Sequence, residues 1–594
     1  MDEQNKNLFL AFGLSLLVLV VWFALFPPPP PPEPAQIEQG ELLPPPPAAG
    51  EGALPTEAEA TPAAVRIGID TPRLTGTINL TGGRIDDLSL RDYFETTQPG
   101  SDNVHLFNPV GDSRTPFYAL YGWTPRGAVG NDAVPGPGTV WEVVGNDLLT
   151  LDSPVTLRWD NGAGLIFTRE ISVDENFMFS VVQGVENNTG SLVQLDPWGI
   201  LAQHGLPPDL ENFFISHEGM VQMADGRLTE DSFRNMRGYR VSERERTPTA
   251  RADVLENGWV GLTGKYFMAT LIGEQGRPFT AVSQHVPGAD IYQVSMRQPT
   301  VSVAPGETAT AGSMLFAGAK EWAVLRDYQN RLGVDRFVDA IDWGWFFFLT
   351  KPIFAALHFF NSIIGNMGWA ILALTLVIKA VLLPLAWKSY VSMAKMKDLQ
   401  PEMLAIKERA GDDRQKMQQE MMKLYKDKKV NPAAGCLPIL LQIPIFFSLY
   451  KVIFVTIELR HAPWLWVFND LSAPDPTSIV NFFGLFPWDA PDPTSFMALI
   501  LIGIMPLLFG ATMWLQMRLN PMPTDQLQAT IFNWMPWVFM FVMGGFASGL
   551  LLYWIGNNVI TFIQQYSIMR MNGSKPDVLG NIMSSFRKKD GEAK

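Results

Sequence analysis

One lysine, Lys379, stands in the middle of the apolar run MGWAILALTLVIKAVLLPLAW, Met367 to Trp387. An ammonium at bilayer depth costs about 3 kcal/mol unless water or a partner reaches it. An intramembrane charge therefore points to a wet cavity lined by other polar groups. The remaining apolar segments supply candidates: Gln442 and Ser448, then Thr512 and Gln516, then Asn557, Asn558 and Thr561. Asn557 and Thr561 are four apart and share a helix face, and Asn558 lies three from Thr561. Facing Lys379, these groups would hold water and replace the hydrogen bonds that an entering polar segment gives up. The same residue types also serve as interhelical glue, and a lysine can snorkel toward the interface.

Covalent and nucleotide chemistry is not encoded. A phosphate-binding loop needs Gly-x4-Gly-Lys-Ser/Thr; the nearest string, Gly261–Tyr266 (GLTGKY), lacks the first glycine and the hydroxyl residue. There is no nucleophile–base pair. A single cysteine, Cys436, excludes a disulfide framework. The six histidines (105, 204, 217, 285, 358, 461) show no ligand spacing. No enzyme activity, cofactor or metal is expected.

The elements that position Lys379 follow from the apolar pattern. The chain has 594 residues, long enough for several domains, of which 47% are hydrophobic and 18% charged. The apolar residues concentrate in Leu8–Phe26 and after Trp343. Residues 1–26 read as an uncleaved signal anchor, because no small-residue cleavage site follows the apolar run. Residues 27–64 are rich in proline and read as a disordered tether. Residues 65–340 alternate short apolar segments with Gly/Asn turn signals, which predicts an all-β sandwich. The segments are Leu74–Leu80, Leu148–Trp159, Gly164–Val173, Phe177–Val185, Gly258–Ile272 and Ile291–Met296. Helical spacing over Glu321–Arg336 closes that domain.

Residues 341–366 predict an amphipathic helix in the interface. Spans are expected at 367–387, at 435–455, at about 496–517, at about 529–543 and at about 546–564. With the anchor they make six. The net charge of −14 must be divided by side of the membrane. Lys388–Val430 carries 11 Lys/Arg and Arg570–Lys594 carries six, whereas His461–Ser495 has none. The basic segments belong in the cytoplasm, both termini with them, and the β domain outside. The bilayer itself is then a partner.

Within the basic loop 388–430, Met393, Met396 and Met403 recur at helical spacing, Gly411 interrupts, and Met417 and Met421 resume. This predicts a helical hairpin. Its methionines form either an ordinary two-helix core stripe or an adaptable partner-binding face. The tail 570–594 ends in a basic cluster, Arg587-Lys588-Lys589, a topology determinant or a contact for anionic lipid or ribosomal RNA.

Three strings carry a resemblance: KSYVSMAKMKDLQ (Lys388–Gln400), VNPAAGCLPILLQIPIFFSLY (Val430–Tyr450) and GLLLYWIGNNVITFIQQ (Gly549–Gln565). Together they resemble the YidC-type membrane protein insertase family, in its full-length Gram-negative form. The resemblance implies a polytopic α-helical protein: a signal anchor plus a five-helix insertase core (residues 431–569 holding spans three to six), a large periplasmic β domain and a cytoplasmic helical hairpin. It implies an inner-membrane insertase and chaperone with a hydrophilic groove, working alone or with the Sec translocon. Nascent inner-membrane proteins, the ribosome and the signal recognition particle receptor are the implied partners. Lys379 matches the groove's basic residue, usually arginine, so the charge is kept and the bidentate fork is lost. Tyr553 and Trp554 match client-contacting positions, which lipid-facing packing would also explain. A secondary transporter is the competing reading, but no internal repeat of the expected kind is present. A scaffold that binds partners through its β domain is the third.

Overall fold

The computed structural model describes residues 65–127, 129–208, 210, 216–411, 413–428, 430, 437–465, 467–486, 488, 502–520 and 526–573. The expected anchor, tether and basic cluster lie outside the described residues.

Two sheets occupy the described chain up to Ala319, antiparallel except where Arg66–Asp70 pairs in parallel with Leu148–Leu149. The larger, of 11 strands, runs in the order Thr249–Val254, Phe279–Val286, Ile291–Arg297, Val193–His204, Phe117–Pro125, Arg84–Phe94, Leu74–Asn79, Arg66–Asp70 and Leu148–Leu149, with Val301–Val303 and Asn103–Phe107 alongside. The smaller, of nine, has Thr308–Ala319 at its centre between Phe267–Ile272 and Met178–Asn187, and Arg227–Ser232 at one edge. Leu165–Val173 alternates buried and open positions, the signature of a strand with one face on the core. The Leu148–Trp159 segment resolves into two strands in different sheets, Leu148–Leu149 and Val155–Asp160. Gly258–Ile272 becomes a hairpin turning at Gly264-Lys265-Tyr266, so the lysine of the GLTGKY string sits at a β turn.

Several strands lacked a readable alternation. Phe117–Pro125 is buried at every position, and Thr308–Ala319 is built of small residues along much of its length. A strand covered on both faces loses the two-residue period.

Among the described residues, ten helices longer than the single turns follow in chain order. Helix α1 spans Trp322–Arg331 and ends before Gly333 at φ 71°, a left-handed position that halts the helical spacing expected to Arg336. Helix α2 spans Phe347–Ile364 and closes on Gly365, also left-handed. Helix α3 (Met367–Val381) and α4 (Leu383–Asp398) follow, then α5 (Gln400–Ala410), α6 (Arg414–Asp427), α7 (Leu437–Val455), α8 (Ile504–Met517), α9 (Gln526–Val542) and α10 (Ser548–Met571).

Helix α2, expected to lie in the interface, is among the described residues the one helix that by length and composition alone could also cross a bilayer. It buries Ile353, Phe354 and Leu357 and leaves Phe347, Phe348, Phe359, Ile363 and Ile364 open. The run 367–387, expected as one straight span, bends by 68° between α3 and α4. Pro384 explains the position, since it gives no N–H to the preceding turn and clashes with it.

One apolar core runs without interruption from the sheets through Trp343, Phe354 and Leu357 to Met367, Ile371 and Leu374 of α3, Ile453 of α7, and Leu550 and Tyr553 of α10. In the sheet domain each such buried side chain contributes about 1.5–3 kcal/mol; between apolar helices in lipid, close packing holds the contact instead. That continuity holds α3, α7 and α10 together around Lys379.

Candidate functional site

Helix α3 presents Lys379 in its last turn, half-buried. Its Nζ donates to Gln442 Oε1 of α7 at 3.2 Å. Gln442 Nε2 in turn donates to Tyr553 Oη of α10 at 2.7 Å. One amide thus links three helices by using its acceptor and its donor end at once. No ion pair to Lys379 occurs among the described residues. An ammonium that meets only a neutral amide keeps its charge uncompensated, and a carboxylate arriving nearby would gain a charge-assisted hydrogen bond.

Further polar groups line the adjoining helices. Asn558 Nδ2 donates to Thr512 Oγ1 at 3.3 Å, joining α10 to α8, and Thr512 Oγ1 donates to Phe509 O at 3.0 Å. Ser448, Asn557 and Thr561 are buried, and Ser448 Oγ, Asn557 Oδ1 and Thr561 Oγ1 have no hydrogen-bond partner among the described residues. Buried polar atoms left open in this way cost free energy unless water or a ligand meets them. Gln516 is half-buried on α8.

The structure therefore brings Lys379 and Gln442 into direct contact and joins Thr512 to Asn558 in a second pair. Two residues that the spacing could have revealed belong beside them. Gln565 lies four residues after Thr561 and continues its face; it is 1% exposed and donates to Asn520 Oδ1 at 2.9 Å. Gln564 Nε2 donates to the backbone carbonyl of Lys379 at 3.4 Å.

Tyr553 and Trp554 are placed differently from a surface that slides along lipid. Tyr553 is 2% exposed and orients Gln442. Trp554 packs tilted against Phe446 and edge-on to Phe509, with ring centroids at 4.9 and 5.6 Å. On α4, α5 and α6, Met393, Met396, Met403, Met417 and Met421 are all half-buried, and Tyr425 Oη donates toward Met403 Sδ, 3.9 Å away. Lys428 pairs with Glu402 across α5 and α6. The methionine left open is Met422, 56% exposed, with Leu404 at 46%.

No group of three or more metal-ligating side chains occurs among the described residues.

Two family descriptions match the chain: the YidC periplasmic domain over residues 66–356 and the 60Kd inner membrane protein over residues 359–575. A membrane protein insertase YidC from Dinoroseobacter shibae is 60% identical, covering 99% of this chain and 99% of the relative. One from Cereibacter sphaeroides is 58% identical over 99% of this chain and 96% of its own. Among solved structures, an active YidC insertase with its first transmembrane domain resolved aligns over 84% of this chain and 92% of its own, at 19% identity and a TM-score of 0.36. A galactose mutarotase-like protein from Lactobacillus casei aligns over 42% of this chain and 99% of its own, at 11% identity and a TM-score of 0.28.

Proposed function

This chain belongs to the YidC family of membrane protein insertases, and from that premise we propose that it inserts its clients through a groove centred on Lys379. The contact that carries the reading is Lys379 Nζ to Gln442 Oε1, a buried cation whose acceptor is neutral. An acidic or polar client tail enters from the cytoplasm and exchanges water for Lys379, Gln442, Gln516 and the open atoms of Ser448, Asn557 and Thr561. Thr512 and Asn558 hold the far wall. The client's apolar helix partitions into lipid, and the membrane potential adds about 2.3 kcal/mol per charge per 100 mV. Tyr553 fixes Gln442 for that exchange, and Trp554 closes the apolar side, so both act on the client through the groove wall.

The same reading takes the chain as multi-pass, with six spans counting residues 1–26, both termini in the cytoplasm and the sheet domain in the periplasm. The two cytoplasmic helices α5 and α6 form the hairpin that meets the ribosome and the signal recognition particle receptor. Their half-buried methionines let that surface adapt, with Leu404 and Met422 at its front. The Sec translocon is a further partner for larger clients.

Reconstitution tests the groove. Purified protein in liposomes is given a single-span client with an acidic N-terminal tail, and protection of the tail from external protease is read. Wild type and Lys379→Arg protect it, and Lys379→Ala loses about tenfold or more, the worth of one charge-assisted contact. Equal protection by Lys379→Ala would sink the electrostatic mechanism.

A further inference from the structure

Where the sheet domain meets the helices, a cavity of about 570 Å³ opens between the edge strand Arg227–Ser232, the linker around Trp343 and the first turn of α2. Its charges are arranged unevenly. Asp342 is paired with Lys451 and accepts from His217 N–H at 2.8 Å, so that cluster is neutral. Asp339 is shared by two cations, Arg336 and Lys351, which leaves one positive charge in excess. Both cations are nearly half open, at 48% and 40% of their side chains. Glu230, paired through its backbone in the edge strand, faces the same cavity, and its carboxylate makes no hydrogen bond or ion pair among the described residues. The cavity as a whole is neutral, but it has a positive end at Arg336 and Lys351 and a negative end at Glu230.

The apolar rim sets the setting. Trp345 is 82% exposed, and Phe347 and Phe348 are open beside it, the aromatic belt expected at a membrane–water boundary. A ligand there needs one anionic group, one cationic group and a foot in the bilayer. We propose that this cavity binds the head group of a phosphoethanolamine lipid, with the phosphate on Arg336 and Lys351 and the ammonium on Glu230. A primary ammonium donates N–H hydrogen bonds to a carboxylate, which a trimethylammonium cannot do, so ethanolamine is selected over choline. Glu230 is exposed on its edge strand, open to an arriving cation. The other titratable groups facing the cavity are His217, which burial lowers, and the pairs already named.

The test uses the full-length protein in nanodiscs of equal phosphoethanolamine, phosphocholine and phosphoglycerol lipids, with retained lipid counted by native mass spectrometry after mild delipidation. Wild type retains the ethanolamine lipid over the choline lipid by about tenfold. Glu230→Gln, with an unchanged melting temperature, removes that preference, Glu230→Asp keeps part of it, and Lys351→Met lowers retention of both zwitterionic lipids. Equal retention of ethanolamine and choline lipids by wild type overturns the proposal. So does an unchanged preference in Glu230→Gln. If a soluble lysine-bearing peptide binds in a Glu230-dependent manner while no lipid is preferred, the lipid is again the wrong ligand and a partner protein is the occupant.

Discussion

Lys379 and Lys451 are both lysines carried by apolar helices, and the protein treats them in opposite ways. Lys451 is 6% exposed on its side chain and is locked to Asp342, itself 15% exposed. Lys379 is half-buried and is met by a neutral glutamine at 3.2 Å. Burial pushes the Asp342 carboxyl up, but the Lys451 ammonium and the His217 N–H outweigh it and hold the group below its ordinary range. A pair that is satisfied within the chain has little to offer a ligand, and removing half of it leaves a bare charge. A cation without a carboxylate keeps its Coulombic attraction for something that has yet to arrive. Lys451 joins domains, and Lys379 is available for work.

The comparison breaks most visibly at Lys451. Lys451→Met leaves Asp342 unpaired and costs about 3–5 kcal/mol of stability, read as a fall in melting temperature. Adding Asp342→Leu recovers most of it, because the double variant buries no lone charge. If the single variant melts like wild type, the pair is decorative and the contrast fails. At Lys379 the stability effect is small and the functional one large. Lys379→Ala melts within a few degrees of wild type while insertion of acidic-tailed clients falls about tenfold or more. Smaller again is Gln442→Leu. It removes the acceptor of Lys379 and the donor to Tyr553, at about 1–3 kcal/mol. It leaves insertion of strongly acidic clients above that of Lys379→Ala, and the reverse ranking would make the amide, not the ammonium, the key group.

The last effect is a pH slope, read against pH and not against a client. Glu458, in the turn after α7, is pushed up to about 7 by burial, with Glu321 adding to the shift and its own and the Trp322 backbone N–H groups opposing it. Its ordinary value is near 4.5, so the folded state holds the proton longer than the unfolded chain. Its contribution to stability is therefore full below about 4.5 and is lost as pH rises to about 7. Glu458→Gln flattens that part of the stability–pH curve, checked by melting the two proteins at pH 5 and pH 8. An unchanged slope assigns the decline to another group.

The difference between the lysines also marks what was legible in the sequence. Lys379 could be read because a charge breaks a hydropathy pattern, and Gln442, Thr512 and Asn558 because polar residues break it again. The Lys451–Asp342 pair could not, since both residues lie near apolar segment ends where a charge is unremarkable and they are 109 positions apart. Gln565 was readable in principle from the Asn557–Thr561 spacing. The inward role of Tyr553 was not, because an aromatic next to a polar stripe suits lipid or core equally. The sheet domain was legible as sheet, yet strands such as Phe117–Pro125 were hidden by burial on both faces. Pro384 was visible, but the size of the bend depends on what packs against α3 and α4.

That bend reaches into the peptide backbone. Pro384 has no N–H to return to the carbonyl of Ala380, and one residue earlier the Lys379 carbonyl accepts from the side-chain amide of Gln564. Main-chain acceptors released from a helical ladder at bilayer depth persist only beside protein polar groups or water. Part of the polarity next to Lys379 is thus main chain, which no side-chain substitution can delete. A client whose leading segment carries hydrogen-bond donors and no acid has acceptors waiting for it even in the alanine variant.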